Sequence, residues 1–308
     1  MGIGFIFPGQ GAQEVGMLDD LRAEESILDE RLSEASDILG FDLGDVIRNG
    51  PEARLSQTSV TQPALLVASV ALFEIWSAHR GAAPTIMAGH SLGEYSALTA
   101  AGSLQFNDAV KLVHERGKLM ESAVPGGQGA MAAILGLDDE LVSSICAEID
   151  GVVSPANMNA PGQVVISGEI SAVDHAVAKC SEAGARRSVK LNVSGPFHCQ
   201  LMTPAAGELE KLLDEVEIKV PDISVIHNVD ASVAIDAAGI RDRLVRQLSA
   251  PVRWSECVAA VLASGVTTVV ECGPGKVLTG LLRRIDRSVD AFAMGSVDEL
   301  SAALGAIE

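Results

Sequence analysis

Gly89-His90-Ser91-Leu92-Gly93 reads as G-x-S-x-G, the pattern of a nucleophile elbow. A strand that turns abruptly into a helix leaves no room for side chains two residues either side of the serine, and glycine stands at both places. The flanks match: 84–88 (Pro-Thr-Ile-Met-Ala) has the character of a short buried strand, and 92–101 that of a helix ending at Gly102. An ordinary tight turn with an exposed serine would share the five letters. Strand before and helix after is the context the elbow requires, and it places the chain in the α/β class.

The rest of the chain can house such an elbow. Its 308 residues are enough for one large α/β domain or two unequal ones, and an apolar content of 48% with a mean hydropathy of +0.29 predicts a full core and no disorder. Twenty-two basic against 41 acidic residues give a net charge of −19, which argues against nucleic acid or an anionic membrane as the main partner. An acidic small molecule or protein stays open, because local basic patches exist around Arg186, Arg187 and Lys190 and around Lys276, Arg283, Arg284 and Arg287; solvated faces are the plainer reading of both. Five cysteines without a C-x-x-C pair indicate neither a disulfide framework nor a zinc site, and a reducing cytoplasm is the expected home. The first residues lack a signal-peptide pattern and read as a strand, Ile6 defeats a myristoylation signal, and no apolar run reaches membrane-spanning length.

In chain order, the first strand runs into Phe7-Pro8-Gly9-Gln10-Gly11-Ala12-Gln13, a glycine-rich turn at a strand's carboxyl end, where ligands bind in open α/β sheets. It is neither G-x-G-x-x-G nor a P-loop. It can offer a backbone N–H to an oxyanion, or be a plain turn. Helices are predicted over 24–39 and 63–79, the second opened by Pro63 and apolar nearly all round, hence buried. In a further helix over 107–123, Ala109, Leu112, Val113 and Met120 share one face with Arg116, while Lys111, His114, Glu115 and Lys118 take the other. A guanidinium on an apolar face must be paired. Either an Asp or Glu pairs it structurally, or it lines a pocket for a substrate carboxylate.

Residues 124–129 break the pattern. Beyond them strand 130–136, helix 138–149, strands 152–157 and 163–168, helix 170–182 and strand 185–190 follow in the β-α-β-β-α-β order of a ferredoxin-like unit. The reading is an insertion over 127–194 within a core formed by 1–126 and 195–308. The core resumes with helix 200–215, strand 224–227, helices 239–248 and 254–264, strand 266–271, the turn Cys272-Gly273-Pro274-Gly275, a short helix and a last strand near 290–294.

A serine nucleophile needs a base. Among six histidines, His90 adjoins the serine but points elsewhere, His114 lies on a polar helix face, His79 and His175 on helix surfaces and His227 in a strand. His198, after Ser194-Gly195-Pro196-Phe197, is best placed to reach the elbow.

Taken together, Phe-Pro-Gly-Gln-Gly at 7–11, Gly-His-Ser-Leu-Gly-Glu-Tyr at 89–95, Arg116, Asn-Ala-Pro-Gly-Gln-Val-Val at 159–165, Gly-Pro-Phe-His at 195–198, Gln247 with Pro251-Val252-Arg253-Trp254, and Glu-Cys-Gly-Pro-Gly at 271–275 resemble the malonyl-CoA:acyl carrier protein transacylase family. The resemblance runs from residue 3 to about 285. It implies an α/β-hydrolase-like core with a mainly parallel sheet and the ferredoxin-like insertion. It also implies Ser91 as acylated nucleophile, His198 as base and acid, the N–H groups of Gln10 and Leu92 as oxyanion hole, Arg116 as the malonyl carboxylate's partner, and the carbonyl of Gln247 as the histidine's orienter. Phe197 resembles the malonyl-selective members; Cys199, where serine is common, is a departure of little expected consequence. The implied partners are malonyl-CoA and the phosphopantetheine thiol of acyl carrier protein, with no bound cofactor or metal, no nucleic acid, no membrane and a monomer as expectations. The rival is a serine thioesterase or acyl hydrolase, which would want an acidic triad member and has no call for Arg116.

Overall fold

The computed structural model describes residues 2–124 and 127–307. Among these the short apolar runs form strands β1 (Gly2–Phe7), β2 (Ile86–Gly89), β3 (Gly129–Leu135), β4 (Val153–Ala160), β5 (Gln163–Glu169), β6 (Arg187–Lys190), β7 (Ser224–Ile226), β8 (Val266–Glu271) and β9 (Asp290–Ala293). Five of them make a sheet ordered β7-β2-β1-β8-β9, every adjacent pair parallel. A parallel sheet is covered on both faces, so its strands carry apolar side chains at successive positions. Phe5, Phe7, Met87 and Val270 pack on one side with the Thr58–Ala78 helix, and Ile6, Ala88 and Val269 on the other with the helices Trp254–Ala263 and Val277–Ile285.

The remaining four strands form an antiparallel sheet ordered β4-β5-β3-β6, with the helices Asp139–Ala147 and Ile170–Glu182 packed on one face. Chain order and strand order are those of the ferredoxin-like unit anticipated from the sequence. Its other face turns Met131, Ala156 and Val165 toward the main core. Backbone bonds tie it there: Met158 N–H donates to the Val252 carbonyl at 2.9 Å, and Val252 N–H to that of Ala156 at 2.8 Å. The expected boundary at 126/127 touches Pro125 and Gly126, which lie outside the described residues.

The long apolar helix departs from expectation. It runs Thr58–Ala78, so Pro63 lies inside it instead of opening it. Proline has no N–H, which leaves the carbonyl four residues earlier, that of Ser59, without its helical donor. His114 supplies one: its Nδ1 lies 2.7 Å from Ser59 O. The two helices can approach this closely because residue 117 is glycine, where an added Cβ would stand 2.5 Å from Ser59 Cα. His114 is therefore half-buried and bonded, where a polar outer face had been expected. The 21-residue helix is long and apolar enough to cross a membrane by length and composition, contrary to the expectation from runs alone; 83% of its most apolar window is buried inside the protein, which makes it a core helix. Short helices at Asp19–Glu24, Leu43–Asn49 and Glu52–Leu55 and the terminal one at Val297–Ala306 add to the elements anticipated. All five cysteines are buried free thiols.

Replacing the imidazole by a shape that cannot donate should orphan a buried carbonyl. His114→Leu is expected to lower unfolding free energy by about 1–3 kcal/mol. Urea denaturation reads this directly, and an unchanged midpoint with unchanged slope would contradict the role assigned to the ring.

Candidate active site

The elbow sits at the carboxyl end of β2. Ser91 adopts φ 53°, ψ −106°, and the Leu92–Ala100 helix begins at the next residue. The two glycines are sterically obligatory: a Cβ on Gly89 would fall 1.9 Å from the Gly93 backbone, and one on Gly93 2.0 Å from Phe7 O. A non-glycine residue at positive φ is strained, and something must hold it. Asn228, just beyond the end of β7, does so from the neighbouring strand: its Oδ1 accepts the Ser91 N–H at 2.7 Å and its Nδ2 donates to Gly89 O at 2.7 Å. One side-chain amide thus clamps the turn on both sides of His90. The His90 ring itself points away from the serine hydroxyl, with Nε2 2.8 Å from Asn159 Oδ1.

His198 reaches the serine, with Nε2 2.7 Å from Ser91 Oγ. Its Nδ1 donates to the Gln247 carbonyl at 2.8 Å, which puts the proton on Nδ1 and leaves Nε2 with its lone pair facing the hydroxyl. The ring is 3% exposed. Burial, reinforced by the positive charge of Arg116 and opposed by the Gln247 carbonyl, holds its pKa down from 6.5 to about 3. A base of this kind is unprotonated at neutral pH.

Arg116, on the Phe106–Ser122 helix, is 1% exposed. It makes no ion pair among the described residues, so the structural alternative left open by the sequence is absent. Two neutral amides hold it instead: Nη1 donates to Gln62 Oε1 and Nη2 to Gln247 Oε1, each at 2.8 Å. Nη2 also approaches Ser91 Oγ at 3.3 Å, Nε has no partner, and the guanidinium lies 5.1 Å from the centre of the Tyr95 ring. Burial pulls its pKa below the usual arginine value and pushes the Tyr95 phenol up to about 12. A buried cation with unspent donors, beside a serine–histidine pair, has the chemistry to receive an anionic acyl group.

These groups face one cavity of about 120 Å³, lined also by Gln10, Leu92, Phe197 and Met131. The backbone N–H groups of Gln10 and Leu92 donate to no other acceptor among the described residues. The Gln10 side chain is turned away and bonds Thr58 Oγ1 at 3.3 Å. Cys199 Sγ donates to Pro196 O and is buried. Among the described residues no cluster of three or more His, Cys, Asp or Glu could hold a metal.

Sequence reasoning missed the layer beneath. Glu94 is fully buried: its Oε1 lies 2.7 Å from His227 Nδ1, and its Oε2 accepts from Asn228 N–H at 2.9 Å and Gln247 Nε2 at 2.8 Å. Gln247 Nε2 also donates to Ser91 O at 3.0 Å. The one signal for Asn228 was its place after a strand's carboxyl end, and Gln62 was masked by its position within an apolar helix.

Elbow, imidazole and buried cation define an acyl-transfer enzyme of the α/β class. The acyl transferase domain family matches residues 4–300. Malonyl CoA-acyl carrier protein transacylases of Escherichia coli O157:H7 and Bacillus subtilis (strain 168) are 51% and 44% identical, over 97% and 98% of this chain and 98% and 96% of theirs. A crystal structure of an acyl carrier protein S-malonyltransferase from Vibrio cholerae superposes with a TM-score of 0.96 at 50% identity, covering 98% of this chain and 99% of that one. A malonyl-transacylase in complex with its type II polyketide acyl-carrier protein does so with a TM-score of 0.98 at 48% identity, covering 99% and 100%. The chain belongs to the malonyl CoA-acyl carrier protein transacylase family within the acyl transferase domain proteins.

Since Arg116 is, after burial, the larger of the two neighbouring groups that depress the His198 pKa, the other being His90, its removal has a definite sign. Wild-type His198 should stay neutral to below pH 5 by NMR of the imidazole, and Arg116→Gln should move its titration upward, toward 6.5. A wild-type midpoint near 6.5, or no upward movement in the variant, would contradict this electrostatic account.

Proposed function

We propose that the protein transfers a malonyl group from malonyl-CoA to the phosphopantetheine thiol of acyl carrier protein by way of a malonyl ester on Ser91, supplying extender units for fatty-acid or polyketide synthesis. The observation that carries the substrate choice is Arg116, buried with no carboxylate partner among the described residues and 3.3 Å from the serine oxygen. The family relatives and the structure of a malonyl-transacylase with its carrier protein support the donor and acceptor.

Each step uses a group already in place. As Ser91 Oγ attacks the thioester carbonyl, His198 Nε2 takes its proton, and the imidazolium is steadied by the Gln247 carbonyl on Nδ1. The oxyanion is received by the N–H groups of Gln10 and Leu92, donors of a kind typically worth about 3 kcal/mol each. The tetrahedral intermediate collapses, the C–S bond breaks, and coenzyme A leaves with the proton returned by His198. The carrier thiol then gives its proton to His198, attacks the malonyl ester, and the steps run in reverse in ping-pong fashion. No cofactor enters this scheme. A hydrolase reading would want a carboxylate on His198 Nδ1, where a backbone carbonyl stands. A neutral acyl group would enter the site and leave Arg116 without a counter-ion, which disfavours acetyl-CoA. We further propose a soluble cytoplasmic monomer, with 127–194 as a subdomain inserted between the two parts of the catalytic core.

The test is acyl loading with and without carrier protein. Malonyl-CoA should add one malonyl mass to Ser91 and none to Ser91→Ala, and carrier protein should discharge it far faster than water does. Arg116→Ala should reduce kcat/KM for malonyl loading by at least about 100-fold while changing acetyl loading much less. Label on Ser91→Ala, equal losses for the two acyl groups, or discharge by water as fast as by carrier would each overturn the assignment.

A further inference from the structure

Gln247 stands between two opposite charges that do not meet. On one side its Oε1 accepts from Arg116 Nη2, and on the other its Nε2 donates to Glu94 Oε2, both at 2.8 Å. Glu94 Oε2 accepts from the Asn228 N–H as well, and its other oxygen lies 2.7 Å from His227 Nδ1. An accepting carboxylate oxygen behind Nε2, together with Ser91 O, fixes which end of the Gln247 amide faces the guanidinium. Gln62 repeats the pattern from the other side: an amide oxygen, not a carboxylate, takes Nη1. Arg116 is therefore oriented by neutral groups, while the nearest fixed negative charge in this network sits one amide away.

We infer that Glu94 is a specificity-determining positioning residue: it orients Gln247 and supplies the negative charge behind it, so that Arg116 is held in place without its fork being neutralised. This rests on the reading that Arg116 receives the malonyl carboxylate. The order guanidinium, amide, carboxylate is what matters. A carboxylate in direct contact would satisfy the arginine internally and remove its preference for an acidic acyl group. Glu94 at one remove keeps a buried cation tolerable and leaves donors for the substrate. Its charge also repels the incoming carboxylate weakly, so its neutralisation tightens malonyl binding instead of loosening it.

Exchanging the two residues tests this with composition and net charge conserved, at the loss of the Gln247 Nε2 bond to Ser91 O. In Glu94→Gln/Gln247→Glu the carboxylate moves onto Arg116, and the malonyl-to-acetyl ratio of kcat/KM for Ser91 loading should fall by about 30-fold or more. A ratio within about threefold of wild type would overturn the inference. Glu94→Gln alone keeps the trial decisive should the exchange not fold. Its amide oxygen can still accept from Gln247 while its NH2 faces His227 in the other tautomer, and the KM for malonyl-CoA should drop about threefold or more. An unchanged or higher KM would overturn the inference, because a merely structural role gives no improvement. Arg116→Ala, run alongside, separates the two readings: if it spares the ratio, the carboxylate partner is misassigned; if it collapses the ratio while the exchange does not, only the role of Glu94 fails.

Discussion

A guanidinium buried without a carboxylate beside it, among the described residues, is the constraint around which this molecule is arranged. The chain carries 41 acidic residues, yet among the described residues none pairs with Arg116. Instead two glutamine amides hold it and a tyrosine ring lies against it. Such a charge is unfavourable by itself, and on the proposed function an anionic acyl group relieves it. After burial, the same positive charge contributes to the depressed His198 pKa, so the cation proposed to select the substrate also helps keep the base unprotonated. On the proposed function, selectivity and reactivity are coupled through one cation.

The elbow is coupled to that cation through the layer beneath it. Asn228 holds the Ser91 turn, Glu94 holds Asn228 and Gln247, and Gln247 touches Arg116 by its side chain and His198 by its backbone. The parallel sheet makes this possible, because β1, β2 and β7 end side by side and deliver Gln10, Ser91 and Asn228 to one edge. The antiparallel sheet supplies the wall opposite, with Met131, Asn157 and Val165 facing the cavity.

How much of this could be read from the residues depended on range. The elbow was legible because its pattern is local: Gly89 answers to the Gly93 backbone within one turn, and Gly93 to the Phe7 carbonyl of the adjoining strand. Arg116 was legible as a misplaced charge on an apolar face, but whether it had a carboxylate partner was not, since that depends on residues 54 and 131 positions away in the chain. Pro63 misled as to a helix start, because the ring that rescues Ser59 O lies on another helix. Gln62 gave no local signal, Asn228 only its place after a strand's end, and Glu94 only its place beside the elbow. Their roles are relations between elements, and only the packed arrangement brings them together.

The claim that a lone buried cation chooses the acyl group is tested most directly by a crystal structure of the protein loaded with malonyl-CoA and trapped as the ester. The account predicts the terminal carboxylate seated on the Arg116 Nη atoms, with the ester carbonyl oxygen toward the N–H groups of Gln10 and Leu92. A carboxylate directed to solvent, or paired with any other cation, would contradict it.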